Sequence, residues 1–476
     1  MSCNGWRRMR RVVGLGLCVA AVAGCDDDSG SIPGTTTSSA TTSSGGGGGG
    51  GATTTTGGQG GQAGAVPELA PALYPSDRTH SPITPYVVDR LTEILARNPT
   101  SARDLFMKAG DSITASNAFL YCFAGASVDL DTHADLQATL DVYRGATVLG
   151  TTSFDRDSDV VQSGRTAFWA MSGQPSPLTQ EMDAVEPAVG VVMFGTNDIG
   201  WFGADHLATL DWYHGYMFDL VDAMLARGII PILSTIPPRD DDSTLDAWVP
   251  TFNAAIRGFA QGRQIPLVDF HRELLPLPNH GLSGDGVHPN ASGSGACVLT
   301  ADGLGYGYDV RNLITLEALD RVRRAALSDA GALDADAPTL AGQGTTTSPF
   351  LIVGQPFVDV RDTRSAPSRV LDVYDGCSST ADESGPEVVY RLEVTSPVRI
   401  RAIVLDRGDV DIDVHLLDAS ATTAGCLARD DALLEADLTP GTYHIVLDTY
   451  VSAGTEKSGE YLFVLMTCPP GDPACL

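Results

Sequence analysis

Positive charge is scarce in this chain. Its 476 residues include 59 acidic but only 30 basic side chains, giving a formal net charge of −29 at pH 7. Such a balance repels phosphate backbones and anionic lipid surfaces, so we expect no nucleic acid partner. It is typical of a soluble, acidic, exported protein and does not indicate a substrate. Hydrophobic residues make up 43% of the chain, which is ample for the cores of about two or three domains.

Metal-ligand spacings are also missing. The nine cysteines include no CxxC pair, and the nine histidines show no His-rich spacing. Structural zinc sites usually draw their ligands from such short spacings. We therefore expect no metal site of this kind.

The N-terminus lacks an apolar run long enough to span a bilayer comfortably and has the composition of a targeting segment. Four arginines precede the apolar run 12–23, which leads into Val22-Ala23-Gly24-Cys25. This tetrapeptide resembles a bacterial lipobox, which implies cleavage before Cys25 and lipidation of its thiol and new amine. An ordinary signal peptide with an incidental cysteine is the alternative.

Residues 26–65 have almost nothing to bury. They are dominated by Asp, Ser, Thr, Gly and Ala, with unbroken glycine over 45–51. Such a composition predicts a flexible linker. With residues 1–25 as a lipoprotein signal peptide, we expect a monomer whose lipid anchor holds it in the bacterial cell envelope, on the periplasmic or extracellular face.

Residues 66–327 alternate apolar runs with helical patterns. The apolar runs predict strands buried on both faces, and the helical patterns predict the helices between them. We expect strands over 104–109, 188–194, 229–236 and 265–270, and helices over 207–227, 245–261 and 308–327. This alternation is typical of an α/β/α sandwich around a parallel sheet.

After a second linker, 328–346, the pattern changes. Residues 347–476 contain short strand-like runs divided by turn residues, with no helix-length pattern between them. These runs predict an all-β sandwich domain. They cover residues 387–394, 398–405, 410–417, 441–447 and 459–465.

One of these runs alternates aspartate with aliphatic residues, which places Asp409, Asp411 and Asp413 on one strand face. Together with Asp406, these carboxylates offer the hard oxygen ligands that calcium prefers. A solvated polar face is the simpler interpretation, and we favour it.

Six cysteines remain once Cys3 and Cys18 leave with the signal peptide and Cys25 takes a lipid. An even number in an exported protein predicts disulfides. The domain boundaries favour pairing within domains. The expected bridges are Cys122–Cys297, Cys377–Cys426 and Cys468–Cys475.

Three loops that follow strands carry residues for acyl-transfer chemistry. In the first, Gly110-Asp111-Ser112, the serine hydroxyl would stand at the carboxyl edge of the sheet, where ligands bind. A serine hydroxyl needs an adjacent base to act as a nucleophile. Taken alone, the tripeptide is also a good turn in which Ser112 would cap a helix.

The segment Asp285-Gly286-Val287-His288 supplies a base and a carboxylate to orient it. Imidazole titrates near neutral pH, so His288 can accept and return a proton. Asp285 can reach the other ring nitrogen and hold the tautomer. Directly after the second predicted strand, Asn197 offers a side-chain amide to a developing oxyanion, and Asp198 is expected to orient that loop.

Together these loops resemble the SGNH/GDSL hydrolases, a family of esterases and lipases with a flavodoxin-like α/β/α sandwich. Three of that family's sequence blocks match Gly110-Asp111-Ser112, Gly195-Thr196-Asn197-Asp198 and Asp285-Gly286-Val287-His288-Pro289. The resemblance covers about residues 66–327. It implies a catalytic triad of the serine, the histidine and the aspartate of these blocks, which needs neither a metal nor an organic cofactor.

The same resemblance implies an oxyanion hole made of the backbone N–H groups of Ser112 and Gly164 and the side-chain amide of Asn197. Gly164 belongs to a loosely defined block, and Gly145 and Gly150 are rival candidates. A glycine that merely starts a helix is the plain alternative for Gly164.

The sequence thus predicts an exported serine ester hydrolase that acts through an acyl-enzyme on a small-molecule, lipid or glycan ester. An O-acyltransferase acting on glycans would use the same site, and a non-catalytic surface-binding lipoprotein is a third hypothesis. Trp201 and Phe202 follow the Asn197 loop, where they would line the acyl pocket or simply pack.

The C-terminal part resembles the bacterial pre-peptidase C-terminal type of β-sandwich. The resemblance rests on the strand 409–417, the run Leu438 to Leu447 and the run Gly459 to Phe463. It implies a role in binding or in secretion.

Overall fold

The computed structural model describes residues 69–328 and 330–468. The predicted signal peptide with Cys25, the linker 26–65 and the side chains of the predicted Cys468–Cys475 bridge lie outside the described residues. Among the residues that are described, no helix combines the length and the apolar character needed to cross a membrane. The described residues belong to one compact unit, so the two regions described below pack on each other.

A parallel sheet of four strands forms the centre of the first region. The strands lie side by side in sequence order, as β1 (Ala102–Gly110), β2 (Pro187–Met193), β3 (Ile230–Ser234) and β4 (Leu267–Val268). β2 is buried along its whole length, as expected of a strand covered on both faces. Because all four strands run in the same direction, their carboxyl ends meet at one edge, here called the carboxyl edge.

Ten α-helices accompany this sheet within the described residues. Local chemistry starts several of them: Thr84 caps the first ahead of Pro85, and Asp205 caps the sixth by accepting a hydrogen bond from the N–H of Ala208 (3.1 Å). A π-helical turn, Arg323–Leu327, extends the last helix. The helices are α1 (Pro85–Ala96), α2 (Ser112–Ala115), α3 (Gln137–Gly145), α4 (Ala167–Met171), α5 (Pro177–Val185), α6 (His206–Ala226), α7 (Ser243–Asp246), α8 (Val249–Arg263), α9 (Phe270–Leu274) and α10 (Gly307–Val322).

A parallel sheet packed among helices confirms the predicted fold class, with two local differences. β4 has only two residues where the sequence predicts a strand over 265–270, because Asp269 caps α9 by accepting from the N–H of Arg272 (3.1 Å). The helix predicted over 245–261 is divided into α7 and α8, since Pro250 lies in the first turn of a new helix.

The second region is a sandwich of two mainly antiparallel sheets. Its strands are β5 (Phe350–Leu351), β6 (Phe357–Asp362), β7 (Glu387–Val394), β8 (Val398–Asp406), β9 (Ile412–Leu417), β10 (Cys426–Asp430), β11 (Leu433–Leu438), β12 (Gly441–Thr449), β13 (Val451–Ser452), β14 (Thr455–Glu456) and β15 (Glu460–Cys468). One sheet has the order β10-β9-β12-β7-β5 and the other the order β11-β8-β15-β6, while β13 and β14 form a separate hairpin. Inward residues of both sheets, such as Tyr390, Val414 and Phe463, form a common core. The predicted β-sandwich is thus confirmed.

Helix α8 packs directly on the outer face of the sandwich sheet β11-β8-β15-β6. Two glycines permit this approach: a Cβ at Gly258 would lie 2.5 Å from Leu462 Cδ1, and one at Gly262 would lie 2.6 Å from Val360 Cβ. Outward apolar residues of this sheet belong to the same buried cluster as the core of the first region. The sandwich is therefore part of the packing of the α/β region.

The predicted linker 328–346 also contacts the α/β region. Asp334 pairs with Arg321 at 2.7 Å and accepts a hydrogen bond from the N–H of Ile83 at 2.6 Å. The carbonyl of Pro338 accepts another from the N–H of Leu73 at 2.7 Å. The domain boundaries themselves stay predictions.

Two disulfides join described residues, and both have the predicted pairing. Cys122–Cys297 connects the 3₁₀ turn after α2 to the segment that precedes α10. Cys377–Cys426 connects the segment before β7 to the start of β10. Bridges between residues so distant in sequence restrict the unfolded chain and so favour the folded one.

Candidate active site

The turn after β1 places Ser112 at the carboxyl edge. Gly110 is paired with Met193 of β2, and a Cβ on it would lie 2.7 Å from the Met193 carbonyl oxygen, so only glycine fits. The next residue, Asp111, caps α2 by accepting a hydrogen bond from the N–H of Ile113 (3.0 Å). The cap is therefore Asp111, and Ser112 is the first residue of the helix.

His288 bridges the hydroxyl of Ser112 and the carboxylate of Asp285. Its Nε2 lies 2.8 Å from Ser112 Oγ, and its Nδ1 lies 2.7 Å from Asp285 Oδ2. The side chains of His288 and Asp285 are 39% and 50% exposed, so water reaches both. A loop 176 residues away in sequence from the serine thus brings an imidazole within hydrogen-bond distance of the hydroxyl.

Asp285 is held as an ionised carboxylate. Partial burial favours its protonated form, but hydrogen bonds from the backbone N–H groups of His288 and Val287 (3.0 Å each) outweigh that effect. The side chains of His288 and Ser283 add to them, and together they hold the pKa of Asp285 below its usual range. Gly286 adopts φ +70°, and a Cβ there would lie 2.7 Å from the backbone nitrogen of Asp241.

The loop after β2 brings Asn197 to the same edge. Its side-chain Nδ2 donates to the carbonyl of Arg165 at 3.1 Å, which ties this loop to the turn that contains Gly164. An amide nitrogen carries two N–H groups, so a second donor stays available. Asp198 is fully buried and accepts a hydrogen bond from the N–H of Ala167 (2.9 Å), the loop-orienting contact that the sequence predicts.

Gly164 occupies a turn with φ +75°, a conformation that glycine adopts without strain. No heavy atom lies within 4 Å of the position that a Cβ would take, so the turn faces open space. Of its rivals, Gly145 ends helix α3 and Gly150 lies in the following loop. The hydrogen bond from Asn197 to the neighbouring Arg165 favours Gly164.

Residues 109–296 match the model of the GDSL-like Lipase/Acylhydrolase family. The chain carries a GDSL-like lipase/acylhydrolase domain. The domain is accordingly a carboxylic ester hydrolase, which confirms the enzyme class predicted from the sequence. Three sequence blocks that suggested the family, together with Gly164, fall within the matched residues.

Solved structures similar to parts of this chain include a GDSL-like lipase from Bacteroides thetaiotaomicron, 17% identical, with a TM-score of 0.31 over 50% of this chain and 99% of that one. A catalytic mutant of an acetylxylan esterase from Geobacillus stearothermophilus is 17% identical, with a TM-score of 0.31 over 45% and 93%. The pre-peptidase C-terminal domain of a Bacillus anthracis collagenase is 14% identical, with a TM-score of 0.16 over 24% and 90%. A comparison with curated protein sequences finds no match.

Two arginines of the acylhydrolase domain that sequence reasoning missed hold these loops in place. Arg311 of α10 is 2% exposed and donates from Nη1 to the carbonyl of Ile113 (2.7 Å) and from Nη2 to Thr114 Oγ1 (2.9 Å). It therefore braces the short helix that carries Ser112. The sequence does not single it out, because the same helix also contains Asp309, Glu317, Asp320 and Arg321.

Arg239 joins two loops of the acylhydrolase domain at the carboxyl edge. Its Nη1 donates to the carbonyl of Thr196 (2.7 Å), directly before Asn197. Its Nε and Nη2 donate to the two carboxylate oxygens of Asp241 (2.7 and 2.8 Å), whose backbone packs against Gly286. The guanidinium thus connects the asparagine loop with the loop beside the histidine.

Trp201 and Phe202, which the sequence suggests as pocket residues, lie on the surface next to the asparagine loop. They are 49% and 47% exposed. Trp201 stacks on Trp212 with ring centroids 5.1 Å apart, and Phe168 of α4 closes the cluster against the same ring at 5.7 Å. These residues form an exposed aromatic surface rather than the wall of an enclosed pocket.

Proposed function

We propose that the acylhydrolase domain cleaves carboxylic esters through an acyl-enzyme formed on Ser112. In this mechanism Ser112 Oγ attacks the ester carbonyl carbon while His288 Nε2 takes the hydroxyl proton. Asp285 holds the ring in the tautomer that keeps Nε2 free and then stabilises the imidazolium. The continuous contact from Ser112 through His288 to Asp285 is the observation that carries this proposal.

The oxyanion of the tetrahedral intermediate needs donors that are in place before the reaction. We assign this role to the backbone N–H groups of Ser112 and Gly164 and to the side-chain amide of Asn197. The hydrogen bond from Asn197 Nδ2 to the Arg165 carbonyl supports the assignment, because it joins two of these donor segments.

Collapse of the intermediate expels the alcohol, which takes the proton from His288. Water then attacks the acyl-enzyme, with His288 as base, and releases the acid and Ser112. The exposure of the His288 and Asp285 side chains gives water access to the acyl-enzyme. Transfer to a glycan hydroxyl would use the same acyl-enzyme, and adding an alcohol acceptor to the assay distinguishes the two outcomes.

The proposed setting is the bacterial cell envelope. The signal pattern that ends at Cys25 and the two disulfides of the described residues both favour an exported protein, since disulfides persist in oxidising compartments. A lipid on Cys25 and the linker 26–65 would hold the enzyme near a membrane. Mass spectrometry of the mature N-terminus tests this part, and an unmodified cysteine or an uncleaved chain would contradict it.

The decisive test compares Ser112→Ala with the wild type in the hydrolysis of p-nitrophenyl acetate. We expect a loss of about 10⁴-fold or more in kcat, because the variant removes the hydroxyl that lies 2.8 Å from His288 Nε2. Ser172→Ala is the matched control, since that hydroxyl donates only to the Phe168 carbonyl at an exposed site. Circular dichroism establishes that both variants fold. Full activity in Ser112→Ala would refute the nucleophile, and an inactive wild type would favour a binding lipoprotein.

Acyl chain length is the next question. A panel of esters from acetyl to long-chain acyl groups, with acetylated glycans among the alcohol parts, would define the substrate class on the wild type. Ser112→Ala serves as the blank for each substrate.

A further inference from the structure

The outer face of the five-stranded sheet is covered by the segment 363–386, which connects β6 to β7. Leu371 and Tyr374 of this segment pack on Val389, Val446 and other residues of that face. The disulfide Cys377–Cys426 ties the segment to the start of β10. Side chains that lie between this segment and the sheet are therefore closed off from solvent.

Three potential metal ligands meet under this cover. Asp413 and His415 are two residues apart on β9, so their side chains share the outer face. Glu383 comes from the covering segment. The three are 4%, 0% and 0% exposed, respectively, and one ligand atom from each lies within 4.8 Å of the others. The solvated face that the sequence favours is therefore wrong for Asp413.

The imidazole of His415 has no hydrogen-bond partner. Both of its ring nitrogens are buried and unpartnered, whereas the carboxyl of Glu383 faces that of Asp413. His415 Nε2 lies 3.9 Å from Glu383 Oε1, too far for a hydrogen bond but suited to two ligands of one ion. The ring is held in place by Tyr374, which stacks on it with centroids 3.6 Å apart. Buried polar atoms without partners are rare and call for an explanation.

The surrounding charges are unbalanced in favour of a cation. The carboxyls of Asp413, Glu383 and Asp448 all lie in this buried region, with exposed fractions of 4%, 0% and 0%. One guanidinium, that of Arg429, faces them; its Nη2 contacts Asp413 Oδ2 and lies 3.2 Å from Glu383 Oε1.

We propose that Glu383, Asp413 and His415 bind a divalent transition metal ion of the zinc type. One imidazole and two carboxylates suit such ions, whereas calcium prefers oxygen ligands alone. The ion contacts one ligand atom from each of the three residues, which lie within 4.8 Å of one another. The ion fastens the segment 363–386 to β9, so its role is structural. Sequence reasoning pointed to Asp413 but not to the other two residues as its partners, because Glu383 lies 30 residues before Asp413 and no spacing rule joins them.

The test begins with the full chain after removal of metals by EDTA. On adding Zn²⁺ and passing the protein through a desalting column, we expect one equivalent of zinc per chain by elemental analysis. Thermal unfolding should shift upward by about 3 °C or more when zinc is about 100-fold above its Kd. Calcium should give no shift. Absence of both retained zinc and a zinc-dependent shift would overturn the proposal, as would a shift with Ca²⁺ and none with Zn²⁺.

Variants locate the ion. Glu383→Gln and His415→Gln should each abolish the zinc equivalent and the shift. Two matched controls should keep both: His444→Gln, a sandwich histidine whose Nδ1 contacts the Asp418 carbonyl at 3.1 Å, and His288→Gln at the active site. If His444→Gln or His288→Gln removes the zinc instead, the ion lies elsewhere and the assignment is wrong. The wild-type measurements decide the matter even if a buried variant fails to fold.

Discussion

The two regions of this protein place the same kinds of side chain in opposite surroundings. At the carboxyl edge of the α/β sheet, the side chain of His288 is 39% exposed and both of its ring nitrogens have partners. In the β-sandwich, His415 is fully buried and neither ring nitrogen has one. Each histidine lies near a carboxylate, so the presence of an acidic neighbour does not distinguish them.

The difference follows from where each fold leaves its polar groups. Loops at the end of a parallel sheet can present side chains to solvent while backbone N–H groups, such as those donating to Asp285, fix their geometry. A sheet face that is covered by another segment must satisfy its polar groups internally. A site of the first kind can exchange protons and substrates, whereas one of the second kind can only hold an ion or a proton.

The largest effect is expected from His288→Gln. The variant removes the base but keeps a polar side chain, so kcat/KM for p-nitrophenyl acetate should fall by about 10⁴-fold or more with little change in thermal stability. The matched control is His280→Gln, because His280 is also exposed and paired with a carboxylate, that of Asp240 at 2.9 Å. An equal loss in His280→Gln would show that exposure and an acidic partner do not single out the catalytic histidine.

Asn197→Ala should have the next largest effect. Loss of one preorganised donor to the oxyanion commonly costs about 10²–10³ in kcat, with a smaller change in KM. Asn197 also donates to the Arg165 carbonyl, so its loss acts on the Gly164 turn as well. Asn197→Asp loses both N–H donors at nearly the same size, so it separates the loss of the donors from the loss of side-chain volume. A kcat within twofold of the wild type in both variants would exclude Asn197 from the oxyanion hole.

Arg239→Met tests a residue that holds two loops of the carboxyl edge in place without touching the substrate. The change removes the donors to Thr196 and Asp241 but keeps an unbranched side chain, so kcat should fall by about tenfold as the asparagine loop loosens. Arg239→Lys should recover part of the activity through the Thr196 contact. Combining Arg239→Met with Asn197→Ala should cost less than the product of the two effects, since both act through one loop. Full additivity would mean that Arg239 acts elsewhere.

The sequence predicted the carboxyl edge better than it predicted the sandwich, and the reason is local chemistry. A nucleophile turn and an Asp-x-x-His segment are short, and each has its chemistry within a few residues. The strands β7 and β8 were also predicted nearly to the residue, because both lie inside their sheets and are rich in apolar residues. The parts that depended on contacts within a few residues were therefore predictable.

What the sequence did not reveal depends on distant contacts. The strands β6, β10 and β11 went unnoticed, and all three lie at sheet edges, where polar residues are tolerated and the alternating pattern weakens. Arg311 and Arg239 owe their positions to contacts with loops far away in sequence. No spacing rule joins such pairs before the fold is known.

Buried carboxyl groups also lie directly beneath the exposed residues of the carboxyl edge. Asp198 is fully buried, and its Oδ2 atom has no hydrogen-bond partner. Burial raises the pKa of Asp198 to about 8, and the nearby carboxylate of Asp111 adds to the rise. Burial also raises the pKa of Asp111 to about 6. The carboxyl edge thus has exposed polar side chains at its surface. One layer below, its carboxyl groups are buried, as those of the sandwich are.

Asp198→Asn should sharpen this contrast by changing the pH dependence of stability. In the wild type, the folded state keeps a proton on Asp198 up to about pH 8, while the unfolded chain releases it above about pH 4. The folded state binds more protons in that window, so the free energy of unfolding falls as pH rises, by at most about 1.4 kcal/mol per pH unit for one group. The asparagine keeps an oxygen for the Ala167 N–H but cannot ionise, so this part of the slope should disappear. Urea unfolding at several pH values between 4.5 and 8 measures the difference between the two proteins. Parallel curves for wild type and variant would mean that Asp198 is ionised in the folded state despite its burial, and the contrast between surface and interior at this edge would be lost.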